Sequence, residues 1–292
     1  MVTKPHGQIV EAKGHKMHIR QMGAGRKTIV LLPGLNEALP SVEYAPLMRD
    51  LSKNYTVCII EYFGYGHSDP IDTKRTNENY VQEIREGLAK AGLKPPYVLM
   101  PYSCSGIYAE YYAAKYPNEI EALILLDCTT TVEEVAHAWT YTEIEIDEII
   151  SELESFTEFP EDNDEEVIEE EIAEFVRHGY TKEEVIETIT MPNHAETIFA
   201  QDIALSKNIF EVLTMQIPKE IPVLVFGSGL EAINGIDAQY EHAKLRRDHM
   251  ARLGEHARLV VIEGSTHGNI TYHRDYRKII CKEIDEFFGY TK

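Results

Sequence analysis

Positive charge is scarce in this 292-residue chain. Lys and Arg number 28 against 49 Asp and Glu, a formal net charge of −21. Such a surface repels phosphate backbones and anionic lipid heads, which argues against a nucleic-acid or membrane binder. Cysteine is scarce too. Cys58, Cys104, Cys128 and Cys281 form no CxxC pair, and three of them sit in or at the end of apolar runs. A thiol in that setting behaves as a small buried hydrophobe, so no disulfides and a reducing compartment are expected. No run approaches 18 apolar residues, so no membrane span is expected. The opening MVTKPHGQIVEAKG lacks the apolar stretch of a signal peptide, and a cytoplasmic location is the expectation. Internal repeats and low-complexity linkers are absent as well. What is present, 43% hydrophobic and 26% charged residues, is enough to build a sizeable core.

The apolar patterning alternates between two periods. Gly7–Ala12 and Lys16–Arg20 read as a hairpin, and Thr28–Leu32, Tyr55–Ile60, Tyr97–Met100 and Ile120–Leu126 as strands. Between them, Val42–Leu51, Asn77–Ala91 and Gly106–Tyr116 carry helical spacing, with Gly92 and Pro117 as stops. The nearly unbroken apolar run Ile120–Leu126 is what a parallel strand needs when helices cover both faces. Pro222–Phe226 and Ala257–Ile262 continue the strands, and Ala238–Leu253 and Tyr272–Phe288 the helices. This is the rhythm of an α/β fold, a mostly parallel central sheet flanked by helices.

One region interrupts the rhythm. Glu133–Glu187 holds 21 acidic residues and two basic ones, Arg177 and Lys182, so it carries −19 of the net charge. Helical spacing recurs there at Glu143–Phe156, Glu165–His178 and Thr181–Ile189, and again over Asn193–Met215. Thr181 followed by Glu184 is a capping box. An acidic helical cap over residues 129–215 is therefore expected after the sixth core strand, inserted into a core of residues 1–128 and 216–292. Like charges at close spacing weaken such helices.

The stretch with most chemistry is Tyr97-Val-Leu-Met-Pro-Tyr-Ser-Cys-Ser-Gly-Ile-Tyr-Ala-Glu. A strand passes directly into a helix, with Ser103 at the apex of the turn. A tight elbow of this kind exposes a hydroxyl above the sheet and aims backbone N–H groups at the same space. A second register would put Cys104 at the apex. The segment resembles the nucleophile elbow of the α/β-hydrolase superfamily, in its lidded esterase-like branch. The family pattern Gly-x-Ser-x-Gly reads Pro101-Tyr102-Ser103-Cys104-Ser105 here, with Gly106 next. Pro101 and Ser105 depart from it.

Three further segments carry the same resemblance. After the strand Ile29–Leu32 comes Pro33-Gly34-Leu35-Asn36, where the family has His-Gly and an oxyanion-binding N–H. The resemblance implies that the Leu35 and Cys104 N–H groups hold an oxyanion, and that Asn36, Tyr102 and Trp139 line the substrate pocket. Glu61-Tyr-Phe-Gly-Tyr-Gly-His-Ser68 matches a family turn. Gly64 and Gly66 open no helix, so they make no dinucleotide fingerprint. After Val260-Val-Ile262, a short loop holds His267, where the family places its catalytic base. The acid has two candidates, Glu231 after the strand ending at Phe226 and Asp127 after Leu126. Together these segments imply a serine hydrolase that cleaves carboxylic esters of a small molecule through an acyl-enzyme. No cofactor and no metal are expected. The alternatives are an aminopeptidase-like serine peptidase and a non-catalytic ligand-binding member. Oligomeric state is not readable.

Overall fold

The computed structural model describes residues 6–142, 144–146, 165–192, 195–229 and 236–290. Eight strands form one sheet in the order β1-β2-β4-β3-β5-β6-β7-β8. β1 (Gln8–Ala12) and β2 (His15–Met22) are the expected hairpin, and β2 continues antiparallel onto β4 (Thr56–Ile60). From β4 through β3 (Thr28–Leu32), β5 (Tyr97–Pro101), β6 (Ile120–Leu126), β7 (Val223–Ser228) and β8 (Ala257–Ile262) every pairing is parallel.

Strand alternation sorts the core into two layers. Val30, Leu32, Leu123 and Leu125 pack on one face of the sheet, and Ile29, Leu31, Ile124 and Leu126 on the other. The first face is covered by α3 (Asn77–Lys90) and α4 (Ser105–Lys115). Tyr80, Val81, Ile84 and Leu88 of α3 recur at helical spacing and are fully buried. Thr76 caps α3 by accepting from the Asn79 N–H. The second face is covered by α1 (Pro40–Glu43), α2 (Ala45–Leu51) and the closing helix Arg274–Phe287, whose Ile280 and Ile284 are buried. The single helix expected over Val42–Leu51 is two, interrupted at Tyr44, because Pro46 starts a second helix and cannot continue the first.

Between β6 and β7 the described residues form helices only: α5 (Glu133–Ala138), α6 (Glu165–Arg177), α7 (Lys182–Ile189), α8 (Ala195–Asp202) and α9 (Leu205–Leu213). The helix expected over Glu143–Phe156 lies largely outside the described residues. The long helix expected over Asn193–Met215 is divided into α8 and α9 around Ile203-Ala204. Thr181 and Glu184 do form the capping box at the start of α7. Arg49 of α2 reaches this region, donating to Glu184 Oε1 at 2.6 Å and to the Gly179 carbonyl at 2.7 Å. The last helices, α10 (Ile236–Leu253) and α11 (Arg274–Phe287), flank β8.

This topology positions a site. β3 sends its chain to β4 on one side, while β5 lies on its other side. The loops leaving the carboxyl ends of β3 and β5 therefore part in opposite directions and leave a crevice between them.

Candidate active site

Ser103 stands at that crevice. β5 ends at Pro101 and α4 begins at Ser105, so a short turn reverses the chain. Ser103 has φ +53°, a left-handed conformation that a non-glycine residue adopts only where its surroundings enforce it. Two glycines make room. A Cβ on Gly106 would lie 2.6 Å from Cys128 Cβ, and one on Gly34 would lie 2.9 Å from the Tyr102 ring. Gly106 lets α4 close onto the chain leaving β6, and Gly34 lets the loop after β3 close onto the elbow. The Thr129 N–H ties the elbow down by donating to the Ser103 carbonyl at 3.0 Å.

Residues distant in sequence complete the group. His267 lies in the loop after β8, with its Nε2 3.1 Å from Ser103 Oγ and its Nδ1 2.7 Å from Asp127 Oδ2. A carboxylate can only accept, so Nδ1 carries the proton and Nε2 is left to accept from the serine hydroxyl. Asp127 directly follows β6 at φ +46°. Its other oxygen accepts from the Ser228 N–H at 2.8 Å. Burial alone would raise this carboxyl. The hydrogen bonds from His267 and Ser228 outweigh it and hold Asp127 below the usual carboxylate range. Glu231, the other acid candidate, lies outside the described residues. The imidazole is 53% exposed, so a reactant can approach it.

A cavity of about 710 Å³ opens over these three residues. Leu35, Trp139 and His249 share its wall with Ser103, Asp127 and His267. Trp139 comes from the end of α5, so the helical region after β6 supplies part of that wall. Asn36 and Tyr102 line a separate cavity of about 480 Å³, together with Glu37, Glu43, Tyr180 and Tyr272. Burial and the neighbouring Glu43 carboxylate push Glu37 upward, and burial pushes Glu43 up to about 7. Cys104 is buried behind the elbow and accepts from Gln201 Nε2 at 3.3 Å. Burial, with the nearby Glu37 charge, pushes its thiol up to about 12. It is neither ionised nor accessible as a nucleophile.

Comparison with known proteins fixes the family and the fold. The sequence profile for the alpha/beta hydrolase fold matches residues 27–270. The chain belongs to the α/β-hydrolase fold family. Among curated relatives, an uncharacterized Bacillus subtilis protein, YbdG, is 39% identical over 126 residues, 43% of this chain and 39% of that one. The human serine hydrolase BPHL is 30% identical over 119 residues, 40% of each chain. The matched part thus spans about two fifths of the curated relatives' length. Among solved structures, E-2-(acetamidomethylene)succinate hydrolase superposes with a TM-score of 0.66 at 18% identity, covering 97% of this chain and 98% of that one. An esterase from Thermogutta terrifontis gives 0.66 at 17%, covering 97% of each. These two likenesses are of fold.

The structure gives one departure of this α/β hydrolase from the family elbow a use and accommodates the other. The Ser105 hydroxyl is buried, donates to the Pro33 carbonyl and lies 2.9 Å from Tyr62 Oη. It pins the loop after β3 to the elbow where glycine would only leave space. Pro101 ends β5, and the next residue, Tyr102, donates to the Leu32 carbonyl at 3.0 Å. The missing N–H therefore costs no bond on the β3 side. Tyr102 does more than line a cavity. Its ring stacks on the His267 imidazole (centroids 4.8 Å apart, 18° between planes), and its hydroxyl donates to the His267 carbonyl at 2.6 Å. Nothing local in the sequence signals this contact, which joins residues 165 apart. Away from Ser103, one group among the described residues has metal-ligand chemistry: His18, Glu61 and His67.

Proposed function

We propose that this protein is a serine hydrolase acting on carboxylic esters of small molecules through an acyl-enzyme. The observation that carries the reading is the chain Ser103 Oγ–His267 Nε2–Asp127, at 3.1 and 2.7 Å. Ser103 attacks the ester carbonyl while His267 Nε2 takes the hydroxyl proton. Asp127 fixes the tautomer and stabilises the imidazolium that forms. The Leu35 and Cys104 N–H groups hold the oxyanion. The N–H groups on either side of Leu35 are committed elsewhere, Gly34 to Glu37 Oε2 at 3.0 Å and Asn36 to Tyr65 Oη at 3.3 Å, which fixes the peptide between them. Donors held in advance act on the charge that develops in the transition state. Collapse returns the proton from His267 to the leaving alkoxide. Water, deprotonated by the same Nε2, then releases the acid and restores Ser103.

In this reading the helices after β6 form a cap, with Trp139 facing the acyl or alcohol portion of the substrate. The pocket wall contributed by α5 supports it. Two carboxylates of the second cavity, Glu37 and Glu43, do not favour the peptidase alternative. Of the cavity's three carboxylates, Glu37 accepts from Gly34 N–H and Tyr44 Oη and Glu43 from Leu39 N–H, so these two are engaged by their own loop, and Glu171 comes from α6.

A fluorophosphonate probe followed by peptide mapping tests the proposal. Labelling at Ser103, with p-nitrophenyl ester turnover that disappears in Ser103→Ala, is the expected result. Label on Cys104, or turnover that survives Ser103→Ala, would overturn it.

A further inference from the structure

Three side chains gather on the far side of β4 from the elbow, and hydrolysis uses none of them. His18 comes from β2, Glu61 is the first residue after β4, and His67 sits in the glycine turn that follows. Their donor atoms all lie within 4.8 Å of one another. His18 Nδ1 is 3.0 Å from Glu61 Oε2, and His67 Nδ1 is 3.6 Å from the same oxygen. Ligands around a tetrahedral ion at zinc–nitrogen and zinc–oxygen distances are about 3.3 Å apart. The observed spacings bracket that value.

Burial makes the grouping hard to explain as surface polarity. His18 and Glu61 are 0% exposed, and neither ring nitrogen of His18 makes a hydrogen bond. The Glu61 carboxylate holds both imidazoles within ion-pair reach, and a cation between the three groups would take the same atoms as ligands. The backbone holds all three in place. The Ser41 N–H donates to Glu61 Oε1 at 3.2 Å and the His67 N–H to Oε2 at 2.6 Å. Ser68 Oγ accepts from the His18 N–H at 2.9 Å and donates to the Glu61 carbonyl at 2.7 Å. The bonds from the Ser41 and His67 N–H groups orient the Glu61 carboxylate, as hydrogen bonds to a ligating carboxylate do in metal sites.

We propose that His18, Glu61 and His67 bind one divalent cation of zinc's class, with water in the fourth position. Two imidazoles and one carboxylate suit that class better than magnesium or calcium, which take oxygen ligands. The ion would pin the turn Gly64–Ser68 to β2. It stands apart from the Ser103 chemistry, and its test does not depend on the hydrolase reading.

The full chain, stripped with EDTA, is titrated with zinc chloride by calorimetry. One equivalent binds, and zinc at a hundredfold excess over the dissociation constant raises Tm by about 5 °C. Cobalt(II) in its place gives the visible absorption of a four-coordinate site. His67→Gln, confirmed folded by circular dichroism, loses affinity at least about tenfold. Absence of stoichiometric binding in the wild type overturns the proposal, as does binding undiminished in both His67→Gln and His18→Gln. Should those variants fail to fold, X-ray absorption of the zinc-loaded wild type decides. Two imidazoles and a carboxylate around the metal support the site, and a thiolate or all-oxygen environment removes it.

Discussion

Asp127 and Tyr102 act on the same imidazole from different directions, and substitution separates their parts. Asp127→Asn keeps the shape but puts an amide where the carboxylate accepted from Nδ1. The wrong tautomer then faces Ser103, and ester turnover is expected to fall about 10³–10⁴-fold. Glu231→Gln is the control, with an expected change of only a few-fold. The reverse ranking would transfer the acid role to Glu231. Tyr102→Phe retains the ring that stacks on His267 and removes the hydroxyl that holds its carbonyl. A stability loss of about 1 kcal/mol in urea unfolding is expected, with turnover reduced far less than by Asp127→Asn. Glu43 supplies a pH signature. Its carboxyl is raised by burial from 4.5 to about 7, so between those values the folded chain keeps a proton that the unfolded chain has lost. The stability it contributes is whole below pH 4.5 and is lost as pH rises through about 7. Glu43→Gln should flatten the fall of unfolding free energy across that window, and an unchanged slope would show that Glu43 is not its source.

At the scale of elements, α7 shows how a strongly acidic segment still makes a defined helix. Thr181 accepts from the Glu184 N–H while Glu184 accepts from the Thr181 N–H. The same Glu184 also takes the Arg49 guanidinium of α2. Thr181→Ala removes half of the box and is expected to cost about 1 kcal/mol. Hydrogen exchange in Lys182–Ile189 should accelerate, while β5 and β6 keep their protection. The box is legible because it is local, a few residues with a fixed geometry. Strands β3, β4 and β6 are legible because a buried parallel strand has little choice but near-continuous apolar character. Breaks are less so. The apolar spacing runs smoothly across Tyr44 and across Ala204, and nothing in the periodicity marks where one helix yields to the next. Ser103 and His267 follow from their loops, since a strand–serine–helix turn and a histidine after the last strand are local patterns. The choice between Asp127 and Glu231 is not local. Both follow strands, and Asp127 meets His267 because β6, β7 and β8 are neighbours in the sheet, an order no local pattern shows. His18, Glu61 and His67 share no spacing that signals a ligand set, because the sheet order, and not the chain, makes β2 and β4 neighbours.

The whole molecule carries −21, of which −19 falls between Glu133 and Glu187. Its ion pairs fall into two populations, and salt changes neither much. Buried pairs such as Arg75–Glu83 and Glu110–His249 are screened little. Exposed pairs such as Lys244–Glu134 and Lys282–Glu286 contribute little to begin with. What remains is repulsion among surplus carboxylates, concentrated on helices such as α6, and repulsion is what salt relieves. The screening length falls from about 30 Å at 0.01 M to about 8 Å at 0.15 M. Tm should therefore rise over that range of sodium chloride, where a balanced surface would show little change. Glu170 offers the local version of the test. It is exposed on α6, four residues before Glu174. Glu170→Lys turns a like-charge pair into an opposite one, a gain of about 0.5 kcal/mol at low salt. Screening should shrink that gain, so the Tm difference between variant and wild type narrows as sodium chloride is added. A difference that stays constant with salt would mean that the substitution acts through helix propensity or packing, and the acidic surplus would lose its place as the brake on this molecule's stability.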